Sequence, residues 1–316
     1  MDGDSGLAFD IVNDLLSNGV GLDVVLFDLV APLQSEIGTR WQQGDFSISE
    51  EHASTAAIET VVALLAGSMA QSDDGARVVV ACAEGDLHSF PARLASVYLI
   101  YAGYRVTFLG ASIPATDLAD YLTELKPAAL VLSCSIATSL PGARDSILAA
   151  HESGTPVVAG GRGFGSDATI ARKLGADEWL SHPLALDELL RRWHPNPDAA
   201  EAAAVDRNDE TRALERAASM IQSDACDNAE EMLGQTVRRR RLAADIEVLS
   251  QALVAAVLLE DAATFIEFSQ WHSQLWAETH AGHDTAPIVL SALHDAVAEH
   301  SPTGADFVDR AIAALD

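Results

Sequence analysis

From Arg77 to Leu180 the chain alternates short β-branched runs with longer stretches of helical periodicity, and this alternation constrains the fold more than any other feature. The strand-like runs are 77–82, 105–109, 129–132, 156–159 and 178–180. Between them lie 90–102, 115–125, 142–152 and 167–174, each long enough for a crossover helix. Parallel neighbours in a sheet need such crossovers, and right-handed crossovers cover both faces, so five βα units predict a five-stranded, parallel, doubly wound sheet. Ligands of these sheets sit beyond the carboxyl ends of the strands, which directs attention to the loops that follow each strand.

The flanks read differently. Up to about residue 70 apolar side chains recur at three and four, as in Val24, Phe27, Val30 and then Val61, Leu64, which predicts a bundle of amphipathic helices over 1–72. Pro32 is expected to kink or restart its helix, and Ser47 or Ser49 to cap the helix that carries Glu50 and Glu51. The sheet domain then occupies 73–194. Residues 195–209, proline-rich at first and apolar only through alanine and one valine, read as a linker, and 210–316 read as an all-helical domain. A length of 316 residues suits about two domains, and 49% apolar residues supply their cores.

Charge excludes some classes of partner. Nineteen basic against 47 acidic residues give −28, a field that repels nucleic-acid phosphates and anionic membranes. No apolar run is expected to approach the ~20 residues that a membrane-spanning helix needs. Three cysteines, Cys82, Cys134 and Cys226, are odd in number and widely spaced, which gives neither a disulfide framework nor a zinc knuckle. With an acidic start and no export signal, a cytoplasmic location is expected.

Three loops carry chemistry at the strand ends. The first contains Asp86-Leu87-His88, an acid two residues before a histidine; a metal-binding imidazole needs its second ring nitrogen held by such a carboxylate. The third strand runs into Ser133-Cys134-Ser135 and the fourth into Gly160-Gly161. Each alone is also compatible with an ordinary polar loop or a turn that needs positive φ.

Together these loops resemble the Rossmann-like, flavodoxin-like cobalamin-binding domain of methionine synthase, the base-off mutases and the light-sensing regulators. The resemblance implies that His88 ligates cobalt from below and Asp86 orients it. It implies further that Ser133 and Ser135 line the nucleotide-tail cavity and Gly160-Gly161 flank the tail. The run from Gly103-Tyr104-Arg105 through Gly110 to Pro114 is similar to the family's second βα unit. The chain departs from the family in having Pro91 where a glycine is usual.

The bundle holds a second signature, Trp41, nine residues, then Glu51-His52, which resembles the W-x9-EH motif of CarH-type and LitR-type cobalamin photoreceptors. The resemblance implies that the bundle caps the corrin's upper face and that these three residues surround an adenosyl group. Trp41 offers a flat apolar wall, while Glu51 and His52 offer hydrogen bonds to hydroxyls or adenine. Where a histidine can follow the tryptophan in that branch, this chain has Gln42, so the cobalt ligand after photolysis is open between His52 and water. The basic helix-turn-helix of those regulators is not seen, and no direct DNA binding is expected.

In the helical domain, Arg238 and Arg241 belong to a run of four arginines and share one helical face. Pairing with Glu230, Glu231 and Asp245 is one reading of the run, and an anion clamp for propionates is the other. A stripe of Phe265, Phe268, Trp271, His272, Leu275, Trp276 and His280 reads either as core or as a wall for a large aromatic cofactor. A cobalamin module followed by such a domain is similar to the photocobilins, which implies biliverdin held by Arg238, Arg241, His272, Trp276 and His280, covalently or not.

The expectation is therefore a non-enzymatic, homo-oligomeric light sensor that binds adenosylcobalamin and biliverdin and signals to a protein partner. Two alternatives stand beside it: a corrinoid methyl carrier of a methyltransferase system, and a cobalamin-binding anti-repressor or scaffold without photochemistry.

Overall fold

The computed structural model describes residues 5–193, 195, 204–233, 239–279 and 285–315, the last four of 239–279 by their backbone only. They divide into two compact units, 1–135 with 142–203, and 136–141 with 204–316.

The first unit opens with helices. Helix α1 spans Ser5–Ser17 and α3 spans Ile48–Ser68; between them α2 runs on through Leu22–Val24, a π-helical stretch Val25–Val30 and Ala31–Gln42. As expected, helical winding restarts at Pro32: the π stretch ends at Val30 and α-helix begins at Ala31. Pro32 sits in the first turn after the π stretch, and the wider π turn ahead of it accommodates a ring that lacks an N–H and crowds the carbonyl one turn back. The start of α3 is fixed by a capping box: the Ser47 hydroxyl accepts from the Glu50 N–H, and the Glu50 carboxylate accepts from the Ser47 N–H at 2.8 Å. Ser47, not Ser49, is the cap.

The sheet follows as β1 Arg77–Cys82, β2 Arg105–Gly110, β3 Ala129–Ser133, β4 Val157–Gly160 and β5 Glu178–Leu180, all parallel, in the order β2-β1-β3-β4-β5. Crossover helices α4 Ser89–Tyr101, α5 Ala115–Leu125, α6 Leu140–Glu152 and α7 Thr169–Lys173 join them, and α8 Leu186–Arg192 closes the unit. Strand β3, buried at every position, is a near-continuous apolar run because helices cover both faces of its sheet. The expected five-stranded doubly wound architecture is what the chain adopts.

The bundle rests on α4. Val25, Leu26, Val30, Val62 and Leu65 bury themselves with Phe90, Leu94 and Val97 in one cluster, and Phe27 meets Tyr98 edge-on at 5.6 Å between ring centroids. Since His88 immediately precedes α4 as its N-cap residue, the helix that carries the bundle also carries the Asp86–His88 loop at its tip.

The second unit comprises α9 Asp209–Leu233, α10 Arg239–Leu259, α11 Ala262–Thr279, α12 Thr285–Val297 and α13 Pro302–Ala313. Contrary to the expectation that no run approaches such a length, helix α10 is long and apolar enough to cross a membrane. Its Leu242, Ile246, Leu249, Leu253 and Val257 are instead buried against Phe265, Phe268, Val289, Leu293 and Val308, as in a core helix. The short segment 136–141, which follows the Ser133-Cys134-Ser135 loop, groups with this unit.

Candidate functional site

Strand register collects the predicted loops on one edge. Cys82 pairs with Ser133 and Ser133 with Gly160, so β1, β3 and β4 end level with one another. Beyond β1 the chain turns at Gly85 and buries Asp86 completely. Its Oδ1 accepts from the His88 backbone N–H at 2.9 Å and from His88 Nδ1 at 2.8 Å, while Oδ2 accepts from the Ser135 N–H at 2.6 Å. One carboxylate therefore ties the loop after β1 to the loop after β3.

Burial opposes the charge on Asp86, yet the hydrogen bonds from His88 and Ser135 outweigh it and hold the carboxyl below its usual range. The same bond to Asp86 raises His88, against its own partial burial, and the charges of Asp86 and Glu51 add to the rise. The imidazole keeps 55% of its side-chain surface exposed. With Nδ1 donating to Asp86, Nε2 carries the lone pair, the arrangement in which a carboxylate fixes the tautomer of a metal ligand.

Around this pair, Ser133 is buried at the end of β3, and the Ser135 hydroxyl is buried without a hydrogen-bond partner. Gly160 ends β4. Gly161 has φ +104°, and a Cβ there would come within 2.4 Å of the Cys134 carbonyl oxygen, so no other residue lets the β3 and β4 loops approach so closely. Gly110 ends β2 at φ +85°, opposite Ala81, where the β1–β2 register slips.

Above lies the bundle signature. Trp41, half-buried, is near the end of α2, and the tight turn through Gly44 leads to the Ser47 cap, which places Glu51 and His52 in the first turn of α3. Glu51 rests against His52 Nδ1; the carboxylate is 19% exposed and the imidazole 75%.

The residues present fit a corrin with its nucleotide tail. They offer a single imidazole with an acceptor nitrogen backed by a buried carboxylate, an orphaned hydroxyl at Ser135, and a pair of glycines at the end of β4. Among the described residues no cluster of three or more His, Cys, Asp or Glu is placed to hold a metal ion.

Comparison with known proteins agrees. Residues 76–183 match the model described as B12 binding domain, and residues 1–66 match a second model with the same description. The chain is a cobalamin-binding protein. It is 28% identical over 163 residues to the HTH-type transcriptional repressor CarH of Myxococcus xanthus, covering 48% of this chain and 54% of the repressor. It is 24% identical over 144 residues to the trimethylamine corrinoid protein of Methanosarcina barkeri, covering 44% and 66%. The matched region thus spans about half the length of the one and just under two thirds of the other. The fold is shared with the monomethylamine corrinoid protein of Methanosarcina barkeri, at a TM-score of 0.50 and 17% identity, over 59% of this chain and 92% of that one.

The residues singled out in the helical domain are less gathered. Arg238 and His280, and the side chain of Trp276, lie outside the described residues. Arg241 bonds Asp245 at 3.3 Å, and its neighbour Arg239 bonds Asp227 at 2.8 Å and Glu230 at 2.5 Å, so these two guanidinium groups pair with the protein's own acids. His272, 7% exposed, sets Nε2 3.2 Å from the second oxygen of Asp245 and stacks on Phe268. Beside His272 and Ser269 is a cavity of about 10 Å³, room for about one water molecule. That is below the roughly 300–1,000 Å³ of pockets for drug-sized ligands.

Sequence reasoning missed several residues that hold the site. Glu84 accepts from the N–H of Ala115 at 3.1 Å, Ser112 from that of Gly85 at 3.0 Å, and Ser146 from that of Glu84 at 3.2 Å. Nothing in their spacing marks them, because each acts across the fold.

Proposed function

We propose that the protein is a light sensor that holds adenosylcobalamin with His88 as the lower cobalt ligand and Trp41, Glu51 and His52 about the upper ligand. What supports this is the Trp41-x9-Glu51-His52 signature, with Trp41 near the end of α2 and Glu51 and His52 near the capped head of α3. When bound, adenosylcobalamin supplies a cobalt–carbon bond that visible light breaks. Asp86 keeps Nε2 of His88 available below; Trp41 packs against the upper ligand, and Glu51 and His52 accept hydrogen bonds from it. Loss of that ligand removes contacts made in one state only, a differential free energy that biases how the bundle sits on α4 and thereby an oligomeric interface. The output is contact with a protein partner in the cytoplasm, without catalysis on a separate substrate, direct DNA binding or membrane attachment. Protein loaded in the dark should change both its spectrum and its elution volume on green illumination; no change in either refutes sensing.

Biliverdin is proposed as a second pigment of the helical unit, near the buried His272–Asp245–Arg241 chain and the ring of Phe268. The cavity there is small, so uptake requires the helices to part. Red absorption that survives cobalamin photolysis is the expected signature.

The second reading is a corrinoid methyl carrier, favoured by the match to a trimethylamine corrinoid protein over the same region. Extraction of the native upper ligand separates the two: adenosyl supports the sensor, methyl the carrier.

A further inference from the structure

The Glu51 carboxylate is engaged at both oxygens. Oε2 meets His52 Nδ1, and Oε1 accepts from the Thr55 hydroxyl at 2.7 Å. The Thr55 oxygen in turn accepts from Gln34 Nε2, also at 2.7 Å. Gln34 lies on α2 and Thr55 one turn beyond Glu51 on α3, so the series crosses from helix to helix before it reaches the pocket. Its direction is forced. Thr55 spends its one proton on Glu51, so only an N–H of Gln34 can satisfy its oxygen. That turns Gln34 Oε1 into a buried position where it has no partner. An unsatisfied buried carbonyl costs stability and is tolerated where something else requires it.

We infer that Gln34 and Thr55 are positioning residues that set the specificity of the upper-ligand pocket. They hold Glu51 so that it takes the Nδ1 proton of His52 and leaves Nε2 as the acceptor of the ring. The pocket then presents acceptors only, the Glu51 carboxylate and His52 Nε2. A ligand with adjacent hydroxyl donors, such as a ribose, satisfies them; a methyl group leaves them unpaired. This rests on the reading of Trp41, Glu51 and His52 as the upper-ligand pocket.

The test compares Thr55→Val, Gln34→Met and the conservative Thr55→Ser with the unaltered full-length protein, by titration with adenosylcobalamin and, separately, methylcobalamin in the dark. Thr55→Val and Gln34→Met should each weaken adenosylcobalamin binding by about tenfold, the scale of one lost hydrogen bond. Methylcobalamin binding should stay unchanged, and Thr55→Ser should restore the preference. In the cofactor-free protein, nitrogen NMR should show His52 protonated at Nδ1, and Thr55→Val should shift it toward the other tautomer. Equal loss for both corrinoids means a general structural role and overturns the inference, as does no loss for either. Glu51→Gln separates the two levels. If it too leaves the adenosyl preference intact, the pocket reading itself fails; if it abolishes the preference while Thr55→Val does not, only the relay fails. Variants at two successive links, one on each helix, keep the test decisive if one of them does not fold.

Discussion

Replacing Asp86 by asparagine changes one buried oxygen and tests the site's electrostatics. The carboxylate accepts three hydrogen bonds, two from His88 on Oδ1 and one from Ser135 on Oδ2. Asparagine has one acceptor oxygen and one NH2. If the oxygen faces His88, the NH2 confronts the Ser135 N–H and two donors meet. If the amide is reversed, the NH2 donates to His88 Nδ1, which moves the ring proton to Nε2 and removes the lone pair cobalt needs. Bonds to a charged group contribute about 1.5–3 kcal/mol and neutral ones about 0.5–1.5, and a buried donor left unsatisfied costs about 1–3 kcal/mol. Corrinoid affinity should therefore fall roughly 10–100-fold, the range for losing a carboxylate behind a metal-bound imidazole. The assay is absorbance titration with hydroxocobalamin at the same pH for both proteins, with far-UV circular dichroism confirming the fold. Affinity within twofold of the parent refutes the assigned role of Asp86.

Two further outcomes follow from local geometry. Ser47→Ala removes one half of the capping box at the head of α3 and should cost about 1 kcal/mol in urea unfolding, with weaker adenosylcobalamin binding because Glu51 and His52 sit in the first turn. Glu210 accepts from the Ser301 hydroxyl, from the Thr303 N–H and hydroxyl, and so clamps the head of α13; these bonds outweigh its burial and lower its pKa from the ordinary 4.5. A depressed carboxylate contributes stability that is complete above its unfolded value and is lost as pH falls through the folded one. Acid unfolding monitored on the helical unit should thus lose a component below about pH 4.5 in the parent that Glu210→Gln lacks.

The sheet was legible because parallel strands covered on both faces announce themselves as apolar runs, and the bounds of β1 and β5 are those the sequence predicts. The Asp86–His88 spacing was legible too, since a bond from residue i to i+2 is written locally. What the sequence did not show acts at a distance: Ser135 as the second anchor of Asp86, and Gln34 behind Thr55 and Glu51, arise from loops and helices that only folding brings together. Helix α2 was legible only in part. Proline in a helical run marked where the winding restarts, but the π turn ahead of Pro32 has no pattern of its own in the sequence.

The central claim is that the imidazole of residue 88 occupies the lower axial position on cobalt. Electron paramagnetic resonance of the reduced, cobalt(II) state, made with protein whose histidines carry nitrogen-15, tests it directly. Coordination by His88 predicts that each superhyperfine triplet collapses to a doublet on labelling, and that His88→Ala abolishes the doublet. Triplets that persist in the labelled protein mean that the cofactor's own base remains on the metal, and they contradict the account.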